Sequence, residues 1–421
     1  MDIRAALIST VNQAKQEFSP LKLLSPHLVD LPWNKPIYVF ALGKAAYQMT
    51  EAVLTYAKQE QFIRIIGGLI ITRYGNAKGT STKFQIIESS HPIPDENSLK
   101  AGDAAIKFLQ NLKEDDVLLV LLSGGGSSLM ERPIGGVSLE DIANCTRELL
   151  NSGANIEELN TARKKMSALK GGKLLSYVKS KSIFIYAMSD VPGDKPKYIC
   201  SNPFLPDTEK ADDSITTESF RRFDNLAARR PILHNKAIVY KIIADNRAFC
   251  NTLKSTALEH IKTLQYDRIH LVSTDLTGEA SKAGKEISNL ANFINKQRGK
   301  GFSAFKTPCL LIFGGETSVT VKGHGIGGRC TELALSAVEG LSEVQNCVLM
   351  TYATDGQDGF CNAAGAIVDS NTKAALLEHD VSPELFLEDN DSYTALKLVD
   401  SIIPSETTGL SVNDVVLMYI H

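Results

Sequence analysis

Short runs of aliphatic and β-branched residues recur along the chain, separated by stretches in which apolar positions return at helical spacing. The runs at 37–42, 65–72, 117–122, 183–188, 237–243, 269–273, 309–313 and 348–353 predict buried strands. Strands alternating with helical patterns predict an α/β protein with mainly parallel sheets. Several of the runs end directly in a turn rich in Gly, Ser or Asp. In open α/β sheets ligands bind at the carboxyl ends of strands, so these turns are where chemistry is to be sought. The polar segment 211–235, with Arg230-Pro231 near its end, precedes a new strand and predicts two domains, 1–235 and 236–421. Residues 293–307 read as a helix end followed by a Lys/Gly surface connection.

Composition narrows the function classes. At 421 residues, 43% hydrophobic and 22% charged, the chain has the make-up of an ordinary globular protein. Its 45 Lys and Arg against 48 Asp and Glu leave a net charge of −3, which lacks the basic footprint of a nucleic-acid or membrane-surface binder. Small anions remain compatible, because a few placed cations and backbone N–H groups bind a phosphate without changing net charge. Seven cysteines, an odd number with no C-x-x-C pair, argue against a disulfide framework and a zinc cluster. The first 18 residues read as an amphipathic helix without a signal-peptide core, and no apolar run is long enough to span a bilayer. A soluble cytoplasmic protein is the expectation.

The sharpest local signal is Ser123-Gly124-Gly125-Gly126-Ser127-Ser128, directly after the run 117–122. Consecutive glycines let backbone N–H groups converge on an anion, and flanking hydroxyls add donors, although a tight turn that binds nothing has the same letters. Gly43-Lys44-Ala45-Ala46 follows another run and would set Lys44 at a helix start, where an anion would offset its charge, or leave it a plain surface lysine. Ser189-Asp190-Val191-Pro192-Gly193-Asp194 places Asp190 and Asp194 across a Pro-Gly turn, which suits Mg²⁺ coordination or a general base, or a plain Asp-initiated turn. A helix is predicted over 155–178, with Asn160, Arg163, Ser167 and Lys170 along one face as a carboxylate- or phosphate-binding wall or a solvated flank.

In the second half, Gly314-Gly315-Glu316-Thr317 follows a strand, and Arg329 follows Gly323-His324-Gly325-Ile326-Gly327-Gly328. Those letters satisfy G-x-G-x-x-G, a weak dinucleotide signal after so short and polar a strand. A guanidinium behind such a turn can reach a phosphoryl group, or simply open a helix at the surface. Thr354-Asp355-Gly356-Gln357-Asp358-Gly359 offers two carboxylates for a metal or a substrate hydroxyl, or for consecutive turns.

Taken in order, the turns resemble the glycerate 2-kinases of the MOFRL type, some of which carry the older label hydroxypyruvate reductase. The resemblance rests on the segments just quoted and on His91-Pro92-Ile93-Pro94-Asp95, Ser152-Gly153-Ala154, Lys170-Gly171-Gly172-Lys173-Leu174, Gly278-Glu279-Ala280 and Ala363-Ala364-Gly365. It implies a larger Rossmann-like N-terminal domain, a smaller MOFRL-type C-terminal domain and a cleft between them. It also implies ATP-dependent phosphorylation of the 2-hydroxyl of D-glycerate, with Mg²⁺. Lys44, Asp190 and Arg329 would be catalytic, with Asp190 and Asp194 at the metal. Ser123, Gly124, Gly125, Gly126, Ser127, Asn160, Arg163, Lys170, Glu316 and Asp355 would bind substrate or phosphate, the division of labour among the carboxylates staying open.

The chain departs from the family pattern in three places. The usual S-G-P is Ser201-Asn202-Pro203, G-G-R-N-Q-E is Gly327-Gly328-Arg329-Cys330-Thr331-Glu332, and the near-terminal G-P-T-G-T-N-V-N-D is Glu406 to Asp414. A kinase for a related hydroxy acid, a nicotinamide-dependent hydroxypyruvate reductase and a non-catalytic binding protein are the alternatives.

Overall fold

The run Val117–Leu122 forms a strand whose six side chains are all buried, a pattern that fits the middle of a sheet covered on both faces. The computed structural model describes residues 2–61, 64–79, 81–151, 156–206, 236–298 and 305–421. The linker 211–235, the Ser152-Gly153-Ala154 match and residues 299–304 of the expected surface connection lie outside them. The chain divides into two units: Ser19–Asp245 with Gly409–Ser411, and Met1–Phe18 with Asn246–Thr408 and Val412–His421.

The first unit holds β1 (Ile37–Leu42), β2 (Ile65–Arg73), β3 (Phe84–Ser89), β4 (Val117–Leu122), β5 (Ser182–Met188) and β6 (Ala237–Ala244). They form one parallel sheet in the order β3-β2-β1-β4-β5-β6. This is the Rossmann order, and it reverses direction between β1 and β4. Phe40, Leu69, Leu118, Val120 and Ile185 pack with Ala101, Ala105 and Leu109 of the helix Glu96–Asn111. That helix starts where Asp95 accepts from the Ser98 N–H and Ser98 Oγ accepts from the Asp95 N–H, both at 3.0 Å, a reciprocal cap.

The second unit holds β7 (Ile269–Leu276), β8 (Cys309–Gly315), β9 (Cys347–Ala353), β10 (Ala363–Asp369), β11 (Ile402–Pro404) and β12 (Asp414–Ile420), ordered β11-β10-β9-β12-β8-β7. Here the expectation of mainly parallel strands is corrected. Only β7 and β8 run parallel, and every other pairing is antiparallel. Two of these pairings come from β12, which enters between β8 and β9 from a loop rather than a helix, so strand–helix alternation has no slot for it; the other two join β10 to β9, the strand before it with no helix between, and to β11.

Two boundaries move. β6 pairs with β5 over 237–244 and completes the first sheet, so the units part after Asp245 rather than after 235. The N-terminal helix Ile3–Glu17 belongs with the second unit: Phe18 meets Phe249 edge-on at 5.3 Å, and Arg4 pairs with Asp369 at 2.7 Å. The helix predicted over 155–178 is also cut short. It spans Ile156–Met166, after which residues 132–134 draw the chain into a short antiparallel bridge through Ile134 N–H to Met166 C=O and Ala168 N–H to Arg132 C=O. Lys173 Nζ donates to the Lys164 and Ser167 carbonyls at the helix end, and Gly171 and Gly172 take left-handed backbone at φ +64° and +77°. Lys170 therefore lies beyond the helix, and the four-residue polar face does not form.

Candidate active site

The point where the strand order reverses brings the turns after β1 and β4 together. Gly43 has φ +128°, and a Cβ there would overlap Ser123. Lys44 N–H donates to Gly124 C=O at 2.9 Å, Ala45 N–H to Ser123 Oγ at 3.0 Å, and Asn76 Nδ2 to Lys44 C=O at 2.7 Å. The backbone carrying Lys44 is thus pinned to the glycine loop.

Each glycine of that loop has a different neighbour. A Cβ on Gly124 would overlap the Asp190 carboxylate and come within 2.5 Å of Ser411 Oγ. On Gly125, whose φ is +84°, it would sit 3.0 Å from both His91 Cδ2 and Lys44 Cγ. On Gly126 it would meet Cys200 Sγ at 2.5 Å. Three glycines in a row are what allow a carboxylate, a lysine stem, an imidazole and a thiol to close in around one loop. Of the serines, Ser123 is buried and its hydroxyl is taken by Ala45, so it fastens the turn rather than facing outward. Ser127 is half-buried, and its Oγ lies 2.7 Å from Ser201 Oγ.

Beneath the loop runs Cys200-Ser201-Asn202, three successive residues in left-handed backbone at φ +52°, +54° and +53°. Such a run persists only where its surroundings fix it. Gly171 N–H and Gly172 N–H donate to the Ser201 and Asn202 carbonyls at 3.0 and 2.6 Å, and Cys200 Sγ donates to Ser123 C=O at 3.1 Å. Burial pushes the Cys200 thiol far up, which keeps it a neutral donor. Asn202, where the family pattern has glycine, tolerates this conformation and uses both ends of its amide on Leu205, accepting from its N–H and donating to its C=O at 2.8 Å. The departure leaves the turn intact.

Asp190 follows β5, and the Ser189 N–H ahead of it donates to Ala244 C=O at 2.8 Å. Asp194 lies after the Pro192-Gly193 turn at φ +51°, half-buried. Among the described residues no group of three or more His, Cys, Asp and Glu side chains is gathered as a metal cage.

Lys170 takes another place from the one its spacing predicts. It is 1% exposed, and its Nζ is ion-paired to the equally buried Glu131. Burial lowers the Lys170 pKa, with Glu131 pulling it back, and Arg163 feels the same two influences. Asn160 is also fully buried. The predicted substrate wall is replaced by an internal charge cluster around Glu131, a residue without a motif to mark it.

In the second unit, β12 opens with Asp414 paired opposite Gly315 of β8 and Ala353 of β9. Arg329, first residue of the helix Arg329–Leu341, binds Asp414 two-pronged, Nε to Oδ2 at 3.0 Å and Nη2 to Oδ1 at 3.1 Å, and its Nη1 bonds Glu316. Burial works against the guanidinium charge, but Asp414 and Glu316 outweigh it and hold Arg329 protonated. Burial foremost raises the Asp414 carboxyl, Glu316 adding to the push and Arg329 opposing it. Asp355 is half-buried and accepts from the Gln357 N–H at 3.0 Å.

Two readings of this region are corrected. Asp358 is buried and accepts from the Cys330 and Thr331 N–H groups at 2.9 and 2.8 Å, so it caps the helix rather than facing a metal or substrate. The G-x-G-x-x-G letters form no strand–turn–helix. Lys322 and Gly323 N–H donate to Asn390 Oδ1, His324 N–H to Asp389 and Ile326 N–H to Asp391, and a Cβ on Gly323 or Gly325 would strike that same segment. Carboxylates already fill the places a pyrophosphate would need. The departures Cys330 and Thr331 are buried in this packing.

Sequence reasoning gave Ser411, Ser201, His91 and Asp414 no role. His91 lay inside a quoted motif, whereas Ser201, Ser411 and Asp414 lay inside the quoted departures from the family pattern and were given no role there.

A domain of unknown function (DUF4147) matches residues 3–227, and the MOFRL family matches residues 309–414. A D-glycerate 2-kinase of Thermotoga maritima is 36% identical over 99% of this chain and 98% of its own length. A glycerate 2-kinase of Pyrococcus horikoshii is 36% identical over 90% of this chain and 86% of its own. The crystal structure of a glycerate kinase from Thermotoga maritima superposes with a TM-score of 0.81 at 36% identity, covering 100% of this chain and 99% of that one.

Proposed function

The chain belongs to the glycerate 2-kinase family, and from that premise we propose that it transfers the terminal phosphoryl group of ATP to the 2-hydroxyl of D-glycerate, giving 2-phosphoglycerate. The observation that carries this reading is the loop Gly124–Gly126 at the switch point of a Rossmann-ordered sheet, with Lys44 and Asp190 against it. That is where an α/β sheet of this order binds phosphate-bearing ligands.

Phosphoryl transfer asks a protein mainly to position its substrates and to offset charge on the transferring oxygens. The N–H of Gly125 and the hydroxyl of Ser127 cradle phosphate oxygens, the Gly126 backbone closing on Cys200 behind them, and Lys44, fixed through its backbone, supplies a cation. Asp190 orients or deprotonates the attacking hydroxyl. The residues also fit magnesium, since Asp190 lays a hard oxygen donor against a loop with no Cβ in the way, and it would hold the ion with Asp194 as a second carboxylate. Bound there, the ion would neutralise charge on the phosphates. In the second unit Arg329, held two-pronged by Asp414 and bonded through Nη1 to half-exposed Glu316, offers a guanidinium suited to an anionic oxygen, and Asp355 offers a carboxylate suited to a hydroxyl.

The test is ATP consumption across a panel of hydroxy acids. D-Glycerate is expected to stimulate turnover most, and Lys44→Ala to lower it by about 100-fold with an unchanged Tm. Stimulation by another hydroxy acid alone would replace the acceptor, and wild-type turnover by Lys44→Ala would remove that residue from the site.

A further inference from the structure

Ser201 has no part in the reading above, yet its side chain is fully buried directly behind the phosphate loop. A buried hydroxyl must place its proton on an acceptor or lose a hydrogen bond outright. The acceptor the structure gives it is Ser127 Oγ at 2.7 Å, and each of these hydroxyls has the other as its side-chain partner. Ser127 is half-buried and borders the loop's open side, whereas Ser201 sees only protein. The two ends of this bond are therefore not equivalent: the enclosed Ser201 can satisfy its proton only inward, and Ser127 can satisfy its own outward.

We infer that Ser201 is a positioning residue for phosphate binding: it donates its proton to Ser127 Oγ and so commits the Ser127 proton to the anion on the loop. The inference rests on the reading of Gly124–Gly126 as a phosphate cradle. It also accounts for the left-handed run. Only that backbone, held by Gly171 and Gly172 from one side and by the bond from Cys200 to Ser123 from the other, carries the Ser201 hydroxyl to the back of Ser127. A serine there is conformationally unfavourable beside a glycine, so its side chain rather than its backbone is what the position uses. The donated bond also polarises the outward one, since hydroxyls in a chain strengthen each other.

A double-mutant cycle over Ser201→Gly and Ser127→Ala tests this, with ATP affinity by calorimetry, KM and kcat for both substrates, and Tm. Ser201→Gly relaxes the left-handed backbone, so Tm is expected to hold or rise while ATP binding weakens by about fivefold, the loss of one hydrogen bond. Ser127→Ala is expected to weaken binding comparably, and the double variant to be no weaker than Ser127→Ala alone. The KM for the hydroxy acid should stay unchanged. Ser201→Ala, which avoids added chain freedom, should show the same loss of affinity. Wild-type ATP affinity in both Ser201 variants, or additive losses in the double variant, would overturn the inference. A wild-type protein that binds ATP but ignores D-glycerate overturns the substrate reading and leaves the cycle decisive; one that binds no ATP overturns both.

Discussion

Gly124 is the residue at which the geometry is least forgiving. Its Cα faces the Asp190 carboxylate so closely that a single methyl group would displace it, while the surrounding strands have no stake in the contact. Gly124→Ala is therefore expected to fold with a Tm within a few degrees of wild type and to lose about 100-fold in kcat/KM, the cost of moving a positioned group by an ångström. Parallel measurement of melting and turnover checks it, and a fully active variant would detach Asp190 from the loop's function. At the same scale Asn202 shows why a departure from the family pattern leaves the turn standing: an amide that tolerates left-handed backbone and bonds Leu205 twice does the work a glycine does by freedom alone.

Among the elements, the segment after the helix Ile156–Met166 changed most between sequence and structure. Helical spacing put Lys170 beside Arg163 on a ligand-facing wall, but the helix ends at Met166 and Lys170 turns inward to Glu131. Lys170→Met leaves a buried carboxylate without its direct counter-ion and is expected to cost about 3–5 kcal/mol in urea unfolding. In whatever fraction folds, the KM for D-glycerate should be unaltered; a raised KM with full stability would restore the binding role. The periodicity was misleading because a bridge to 132–134, a contact distant in sequence, ends the helix. Strands that alternate with helices were legible from their apolar runs, as β1, β4 and β5 were, because burial on both faces writes itself into consecutive residues. β12 was not, since it joins its sheet without a crossover helix. The glycine loop was legible as a motif, but its closing neighbours Ser411, His91 and Ser201 come from three separate segments and have no spacing to betray them.

For the whole molecule, acidity reaches stability through Glu332. The residue is buried in the second unit, accepts from Asn390 Nδ2 at 3.2 Å, and shares its surroundings with Glu279, Asp358 and Lys322. Burial foremost raises its pKa from 4.5 to about 7. In that window the folded chain keeps a proton that the unfolded chain has released, so this contribution is full below the unfolded value and is lost as pH rises through the folded one. Stability is expected to fall by about 3 kcal/mol between the two values, and Glu332→Gln to flatten that slope. Urea titrations of both proteins from acid to neutral pH check the direction, and parallel curves would contradict it. Among the described residues no helix is long and apolar enough to cross a membrane.

What distinguishes this activity is the carbon to which the phosphate goes. Incubating the protein with ATP and D-glycerate and locating the new ester by carbon–phosphorus coupling in NMR reads it directly. The expected product is 2-phosphoglycerate, with the phosphate on the carbon bearing the secondary hydroxyl. A phosphate on carbon 3, or no transfer at all beside ATP-independent oxidation of NADH by hydroxypyruvate, would contradict it.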